Sequence, residues 1–511
     1  MLASVNTMVI NGIEAKNVRV EVDIQNGLPG FEIVGLASTS VKEARERVKS
    51  AIKNSGFKFP GQKIIVNLAP ADLKKEGSHF DLAIALGILK ASEQIVSDIP
   101  DSFYWAGELS LDGSIRRVPG ILPMALELAR FKNKNITFVV PQENAEEAGL
   151  VEKIRSFFAL NLKQIVDYLK KNDKLYEVPR GKIKNISNQS NKYDFADVKG
   201  QETAKRALVI AAAGMHNVLL IGPPGGGKTM LARRLPGILP EMEREEILET
   251  TRIYSVANLL TAKKPLIDTR PFRAPHKNAS SASIIGGGRI PRPGEISLAQ
   301  NGVLFLDELP EFSRDVLEAL RQPLEDRIVT VARAHSTHVF PADFLLICSM
   351  NPCPCGNYGS DMECRCTPLQ IQRYLSRISG PLLDRIDLHV EVPRIKYEQL
   401  KEKNGGVTSA FLREKVKEAR KIQAKRFADE GIKLNSQMGS AEVKKYCKID
   451  EKSEELLKTA FKRLKLNARA YERILKVART IADLNGSPHI KMQHLAEAIQ
   501  YRSLDRKYWE R

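Results

Sequence analysis

The sequence has no apolar run of the roughly 18 residues needed to span a bilayer. Its start, MLASVNTMVINGIEAK, lacks a basic segment followed by an apolar core. Neither a membrane anchor nor a secretory leader is therefore expected. Cysteine is scarce, with six residues in 511, four of them between Cys353 and Cys366. That distribution does not look like a disulfide scaffold, and it fits a reducing cytoplasm. No internal repeat is visible.

What is present indicates a large globular chain. At 511 residues, 43% hydrophobic and 27% charged, two to four domains are the natural division. Lys and Arg number 79 against 61 acids, for a net charge of +18. Between Lys401 and Arg511 there are 27 basic and 15 acidic residues, so +12 of that excess lies in the last 111 residues. A basic, helix-patterned end is a candidate surface for a polyanion, although a solvated helical face has the same composition.

Residues 1–170 mix strand-like and helix-like segments. MVINGIEAKNVRVEVDI alternates at period two, as paired strands do, and STSVKEARERVKSAIKNSG has helical periodicity and ends at a glycine suited to a C-cap. Residues 171–194 are polar and aperiodic, the pattern of a linker. From 195 to 395, the buried strands NVLLIG, GVLFLDE and FLLICSMN alternate with helices, which predicts a parallel α/β sheet. Residues 396–511 are charged and helical.

GPPGGGKT, comprising Gly222, Pro223, Pro224, Gly225, Gly226, Gly227, Lys228 and Thr229, fits G-x-x-x-x-G-K-[ST] between a strand and a helix. Glycines let backbone N–H groups close around phosphates at a helix N-terminus. Lys228 is expected to reach the β- and γ-phosphates of ATP, and Thr229 to place its hydroxyl on Mg²⁺. VLFLDE would deliver two acids to the carboxyl edge of the sheet. Asp307 is the expected Mg²⁺ holder, and Glu308 the base that orients and deprotonates the attacking water.

RPFRAPHKNASSASIIGGGRIPRPGEISLAQNGVLFLDELPEF and SRISGPLLDRIDLHVEVP resemble the magnesium chelatase-like branch of the AAA+ ATPases. Along its whole length the sequence resembles the YifB/ComM family, which joins a Lon-protease-like α+β domain (ribosomal protein domain-like) to this ATPase core and a helical lid. The resemblance implies four further assignments. Asn351 would be the sensor that polarises the attacking water. Arg385, in LLDRID, would be an arginine finger for a neighbouring subunit, with a local salt bridge to Asp384 or Asp387 as the plain alternative. Arg469 would be a second sensor from the lid, and DVKGQ, with Val198, would lie over the adenine. A finger supplied in trans implies a homo-oligomeric ring, usually a hexamer.

KKEGSHFDLAIALGIL and AGELSLDGSIRRVPGILPMALELARFKNKNITFVVP resemble the proteolytic domain of Lon, which uses a Ser–Lys dyad. Aligning Glu76-Gly77 puts His79 at the nucleophile position, next to Ser78, and Leu122 at the lysine position. The dyad looks absent, so no peptidase activity is expected and an assembly or interaction role is.

Rings of this branch carry hairpin inserts. RIVTVARAHSTHVFPADF is one candidate, with Arg327, Arg333 and His335 to touch a DNA backbone by charge. HKNASSASIIGGGRIPRPG is the other, with Lys277, Arg289 and Arg292. The resemblance implies an ATP-driven motor on single-stranded or branched DNA, as in branch migration during recombination or natural transformation. The alternatives are a chelatase-type remodeller of a protein partner and, disfavoured by the missing dyad, an ATP-dependent protease. Finally, Cys353, Cys355, Cys364 and Cys366 could give zinc four thiolates, although one-residue spacing is tighter than usual; free or redox-active thiols are the other reading.

Overall fold

A computed structural model describes residues 2–132, 135–181, 193–288, 291–333, 336–395, 406–464 and 466–509. The alternating segment at the start forms the strands β1 (Leu2–Asn11) and β2 (Glu14–Gln25), antiparallel from Leu2↔Asp23 to Asn11↔Glu14. Strands β3 (Gly30–Val34), β4 (Lys63–Ala69) and β5 (Phe103–Trp105) follow, then the small hairpin β6 (Glu108–Leu109) and β7 (Ile115–Arg116). Next come β8 (Thr137–Pro141), β9 (Arg155–Ala159) and β10 (Tyr176–Glu177), completing an eight-stranded sheet of order β10-β9-β8-β5-β1-β2-β4-β3. The almost wholly buried helix Asp81–Ala91 packs on β1 and β2. β10 falls in the segment expected to be a linker. Its pairing with β9, and Gly181 N–H donating to the Gly149 carbonyl at 2.9 Å, carry the N-terminal domain to Gly181.

The second sheet is parallel throughout. It comprises β11 (Val218–Ile221), β12 (Phe272–Arg273), β15 (Val303–Leu306), β18 (Leu345–Met350) and β19 (Leu388–Glu391), in the order β12-β15-β18-β11-β19. Val218 and Leu220 face one apolar cluster while Leu219 and Ile221 face another, so both faces are covered, as a parallel sheet requires. Two short ribbons leave this core: β13 (Gly286–Gly287) with β14 (Arg292–Pro293), and β16 (Ile328–Arg333) with β17 (Ser336–Pro341).

The helices Ser409–Arg426, Ala468–Leu484 and Met492–Gln500 share one continuous apolar cluster with helix Glu202–Gly214 and the sheet. Arg206 reaches Glu497 at 2.8 Å across this join. The chain then returns to β19, where His389 N–H donates to the Tyr501 carbonyl at 2.9 Å. No described helix is long and apolar enough to cross a membrane.

Candidate nucleotide site

The loop after β11 turns into helix Lys228–Arg234 through Gly227, at φ 87°. This left-handed conformation favours glycine and leaves the first N–H groups of the helix without intrahelical partners. Gly222 is so close to the Val392 carbonyl that no side chain fits there, and the Cβ positions at Gly225 and Gly227 open on free space. The Lys228 ammonium curls back to the carbonyls of Gly222 (2.6 Å) and Pro223 (2.9 Å) and donates to Asn351 Oδ1 at 3.1 Å. Burial lowers its pKa, against the attraction of Asp307 and Glu308. Thr229 Oγ1 donates to Asp307 Oδ2 at 3.0 Å, and Ser349 donates to the other oxygen of the same carboxylate. Val198 is buried just ahead of helix Glu202–Gly214, and Gln201 Nε2 donates to the carbonyls of Gly226 (3.2 Å) and Pro393 (2.7 Å). Of the residues expected to hold ATP and Mg²⁺, Pro224 to Thr229 and Asp307 line one cleft together with Met230, Glu308, Ser349, Met350 and Asn351, whereas Gly222, Pro223 and Val198 are outside its lining. A hydroxyl beside a carboxylate, an ammonium and open N–H groups at a helix start suit a metal-bound polyphosphate.

Glu308 stands at the end of β15 with φ 55°, which turns its exposed carboxylate over the cleft mouth. It is paired with Lys277, whose Nζ lies 2.5 Å from Glu308 Oε2. By sequence alone these residues have separate tasks. Their contact spans 31 positions and had no local signal.

Asn351 directly follows β18, and the four-cysteine loop begins two residues later. The sulfurs of Cys353, Cys355, Cys364 and Cys366 all lie within 4.8 Å of one another. The backbone N–H of Asn357 draws the Cys355 thiol down, whereas burial pushes that of Cys353 up. Cys348, in β18, and Cys447, just after the helix Ser440–Tyr446, are buried elsewhere.

The expected arginines do not line this cleft. Arg385 precedes β19, and its carbonyl accepts from Asn217 Nδ2 at 3.1 Å, at the start of β11. Because β11 and β19 run parallel from Val218↔Leu388 to Ile221↔Glu391, Arg385 sits at one edge of the sheet and Gly222 at the other. Arg385 donates to Glu325, which this bond first of all, and the charges of Arg469 and Arg473 as well, hold below the usual carboxylate range. Arg469 therefore groups with Arg385 rather than with the glycine loop. The partner of Arg473 is Asp387.

The DNA-contact candidates are scattered. Arg327 pairs with Asp343 at 3.3 Å at the base of the β16–β17 ribbon. Arg292 is exposed on β14. Arg333 pairs with Ser336 at the ribbon tip through its backbone. The side chain of Arg333, and the whole of Arg289 and His335, lie outside the described residues.

In the N-terminal domain, Ser78 donates to Glu108, and Lys75 turns its ammonium to the Pro70 carbonyl. His79 is buried and donates through Nε2 to the Met8 carbonyl at 2.9 Å, and burial lowers its pKa to about 4. Leu122 serves through its backbone: its N–H donates to Glu147 Oε1 at 2.9 Å. Gly120 N–H donates to Ser255 Oγ at 3.1 Å, from helix Arg244–Val256 of the ATPase core, and that hydroxyl donates to Glu147. Nearby, the β1–β2 turn at Gly12 sits against the His338 ring of β17, and Ile13 packs into the ATPase core. The Glu76–His79 segment and the Gly120–Leu122 turn thus both lie near the join with the ATPase core, and the turn itself bonds across it. The buried Glu147, whose pKa burial raises, was missed because nothing in QENAEEAGL distinguishes it from its acidic neighbours.

Residues 194–400 match the family described as magnesium chelatase, subunit ChlI; residues 20–144 match subunit ChlI of Mg-chelatase, and residues 406–502 match the ChlI C-terminal family. The chain is 48% identical to the competence protein ComM of Haemophilus influenzae over 510 residues, covering 99% of this chain and 98% of that one. It is 45% identical over 506 residues to the uncharacterized protein YifB of Escherichia coli, with 99% and 98% covered. A magnesium-chelatase 67 kDa subunit of Chlorobaculum parvum is 26% identical over 164 residues, 31% of this chain and 23% of that one.

Proposed function

Because this chain belongs to the YifB/ComM family of magnesium chelatase-like AAA+ ATPases, we propose that it is a ring-forming motor that couples ATP hydrolysis to movement on single-stranded or branched DNA, with branch migration as its task. The observation that carries this reading is the Lys277–Glu308 pair. A lysine in the glycine-rich insert holds the carboxylate expected to act as base, so a phosphate backbone that drew Lys277 away would release Glu308 for catalysis. The competence role named for ComM and the basic C-terminal region point the same way.

In this reading, Lys228 and the N–H groups after Gly227 bind the phosphates, and Thr229 and Asp307 hold Mg²⁺. Mg²⁺ held by these two side chains would offset the phosphate charge. Glu308 takes the proton of the attacking water, and Asn351, whose Oδ1 accepts from Lys228, orients that water beside the γ-phosphate. Val198 and Gln201 border the base of the nucleotide.

The level of Arg385 and that of Gly222 are about 16 Å apart along the strands, beyond the reach of one side chain. Arg385, with Arg469 beside it, therefore serves the cleft of a neighbouring subunit, and a closed ring, a hexamer, supplies that neighbour. The N-terminal domain is a Lon-like platform without peptidase chemistry, and the four cysteines hold a structural Zn²⁺. The protein works in the cytoplasm.

The test compares ATP hydrolysis and branched-DNA movement by the wild type, Glu308→Gln and Lys277→Ala. Glu308→Gln should lose both activities while still binding DNA. Lys277→Ala should hydrolyse ATP faster without DNA and respond less to it. Hydrolysis by the wild type that ignores single-stranded, duplex and branched DNA alike would sink the motor reading and favour a chelatase-type remodeller acting on protein.

A further inference from the structure

The cysteine loop touches the nucleotide cleft from two directions. On one side, Gly356 packs on Pro224 of the glycine loop so closely that a Cβ there would lie 2.5 Å from Pro224 Cδ. Gly356 can approach because its N–H closes a turn onto the Cys353 carbonyl at 2.9 Å and its φ is +81°. Cys353 is itself two residues from Asn351, the partner of Lys228. On the other side, the ring of Tyr358 meets the edge of Tyr508 at 6.3 Å, in the helix Ser503–Tyr508. That helix is tied to β19 by Lys507 and Glu391 at 2.6 Å, and the next residue, Val392, presses its carbonyl on Gly222. The loop, the last helix, β19 and the glycine loop thus form a closed chain of contacts around the phosphate cradle.

The four thiols are where that chain can be locked. Three of their separations are 3.3, 3.6 and 3.7 Å. Zn–S bonds of about 2.3 Å in a tetrahedron call for separations of about 3.8 Å. Tyr358 N–H donates to Cys353 Sγ at 3.3 Å, so the contact to the last helix starts at a ligand sulfur. Cys353 is buried and the other three are partly exposed, which leaves a side open for a metal to enter. Resting on the zinc reading above, we propose that this metal is a clasp on the nucleotide site: with it bound, Gly356 holds Pro224 and the glycine loop in their phosphate-binding shape, and its removal weakens nucleotide binding at a loop far upstream of Cys366 in the sequence.

The full-length protein can be assayed for zinc by elemental analysis, and for tetrathiolate geometry by the visible spectrum after Co²⁺ substitution. Binding of a fluorescent ATP analogue is then measured before metal removal, after it and after Zn²⁺ is restored, with circular dichroism to follow folding. The expected result is one zinc per chain and at least a tenfold loss of affinity in the folded, metal-free protein, reversed by Zn²⁺ alone. Cys355→Ser should lose both the metal and the affinity. Gly356→Ala should keep the zinc and still bind the analogue more weakly, which preserves the test if metal-free protein unfolds. One zinc per chain with unchanged affinity in the metal-free protein, or in Gly356→Ala, overturns the clasp and leaves the zinc reading standing. Folded protein that neither contains zinc nor takes up Zn²⁺ or Co²⁺ overturns both.

Discussion

Two helices in this chain begin with the same device and end with opposite properties. Gly227 precedes Lys228–Arg234 at φ 87°, and Gly120 precedes Ile121–Leu128 at φ 83°. Each left-handed glycine aims the free N–H groups of a helix start away from the helix, where negative charge is favoured. At Gly227 the space beyond is open and lined by Lys228, Thr229 and Asp307. At Gly120 it is filled from within the chain: Glu147 takes the Leu122 N–H and Ser255 takes that of Gly120. An anion site is therefore made by what the tertiary structure leaves out as much as by the turn that creates it.

The largest break in that comparison should come from Lys228→Ala. Removing the lysine of the open cradle should lower ATP hydrolysis by roughly two orders of magnitude or more, read as phosphate release at saturating ATP.

Acid should separate the two regions next. His79 has a pKa of about 4 in the folded chain against an ordinary 6.5, so the unfolded chain binds more protons between those values. Stability from this group is complete above pH 6.5 and falls by about 3 kcal/mol toward pH 4. Urea unfolding of the N-terminal domain should show this loss, and His79→Gln, which keeps a donor for Met8, should remove it. Identical acid sensitivity in both proteins would refute the assignment.

Pulling the internal plug comes third. Glu147→Ala leaves the buried donors Leu122 N, Asn144 Nδ2 and Ser255 Oγ without their acceptor, at about 2 kcal/mol. The melting temperature should drop while nucleotide affinity at Gly227 holds. The smallest effect should be that of Lys277→Ala, a severalfold rise in DNA-independent hydrolysis from an exposed pair.

How much of this was legible in the sequence depended on distance along the chain. The glycine loop and the acids after β15 were readable because each is a contiguous motif whose spacing carries its chemistry. The β1–β2 pair was readable for the same reason, through the alternation of Val18, Val20 and Val22 along β2. The short strand β10 was not: Tyr176–Glu177 has no periodicity of its own and exists because β9 offers an edge. Lys277 read as a loop cation, and only folding brings it to Glu308. Arg469 read as a lid arginine, and only packing groups it with Arg385, away from the glycine loop of its own chain.

By itself the sequence determined the local devices: which turns take a left-handed glycine, which strands are buried on both faces, and which side chains can hold phosphate, metal or proton. These follow from backbone sterics and side-chain chemistry, which act over a few residues. The tertiary structure alone decided which devices stay open. It filled the Gly120 helix start, left the Gly227 one clear, set Arg385 at the far edge of the sheet and gathered four sulfurs beside the phosphate cradle. Those outcomes depend on which remote groups arrive in the same few ångströms, and no local propensity encodes that.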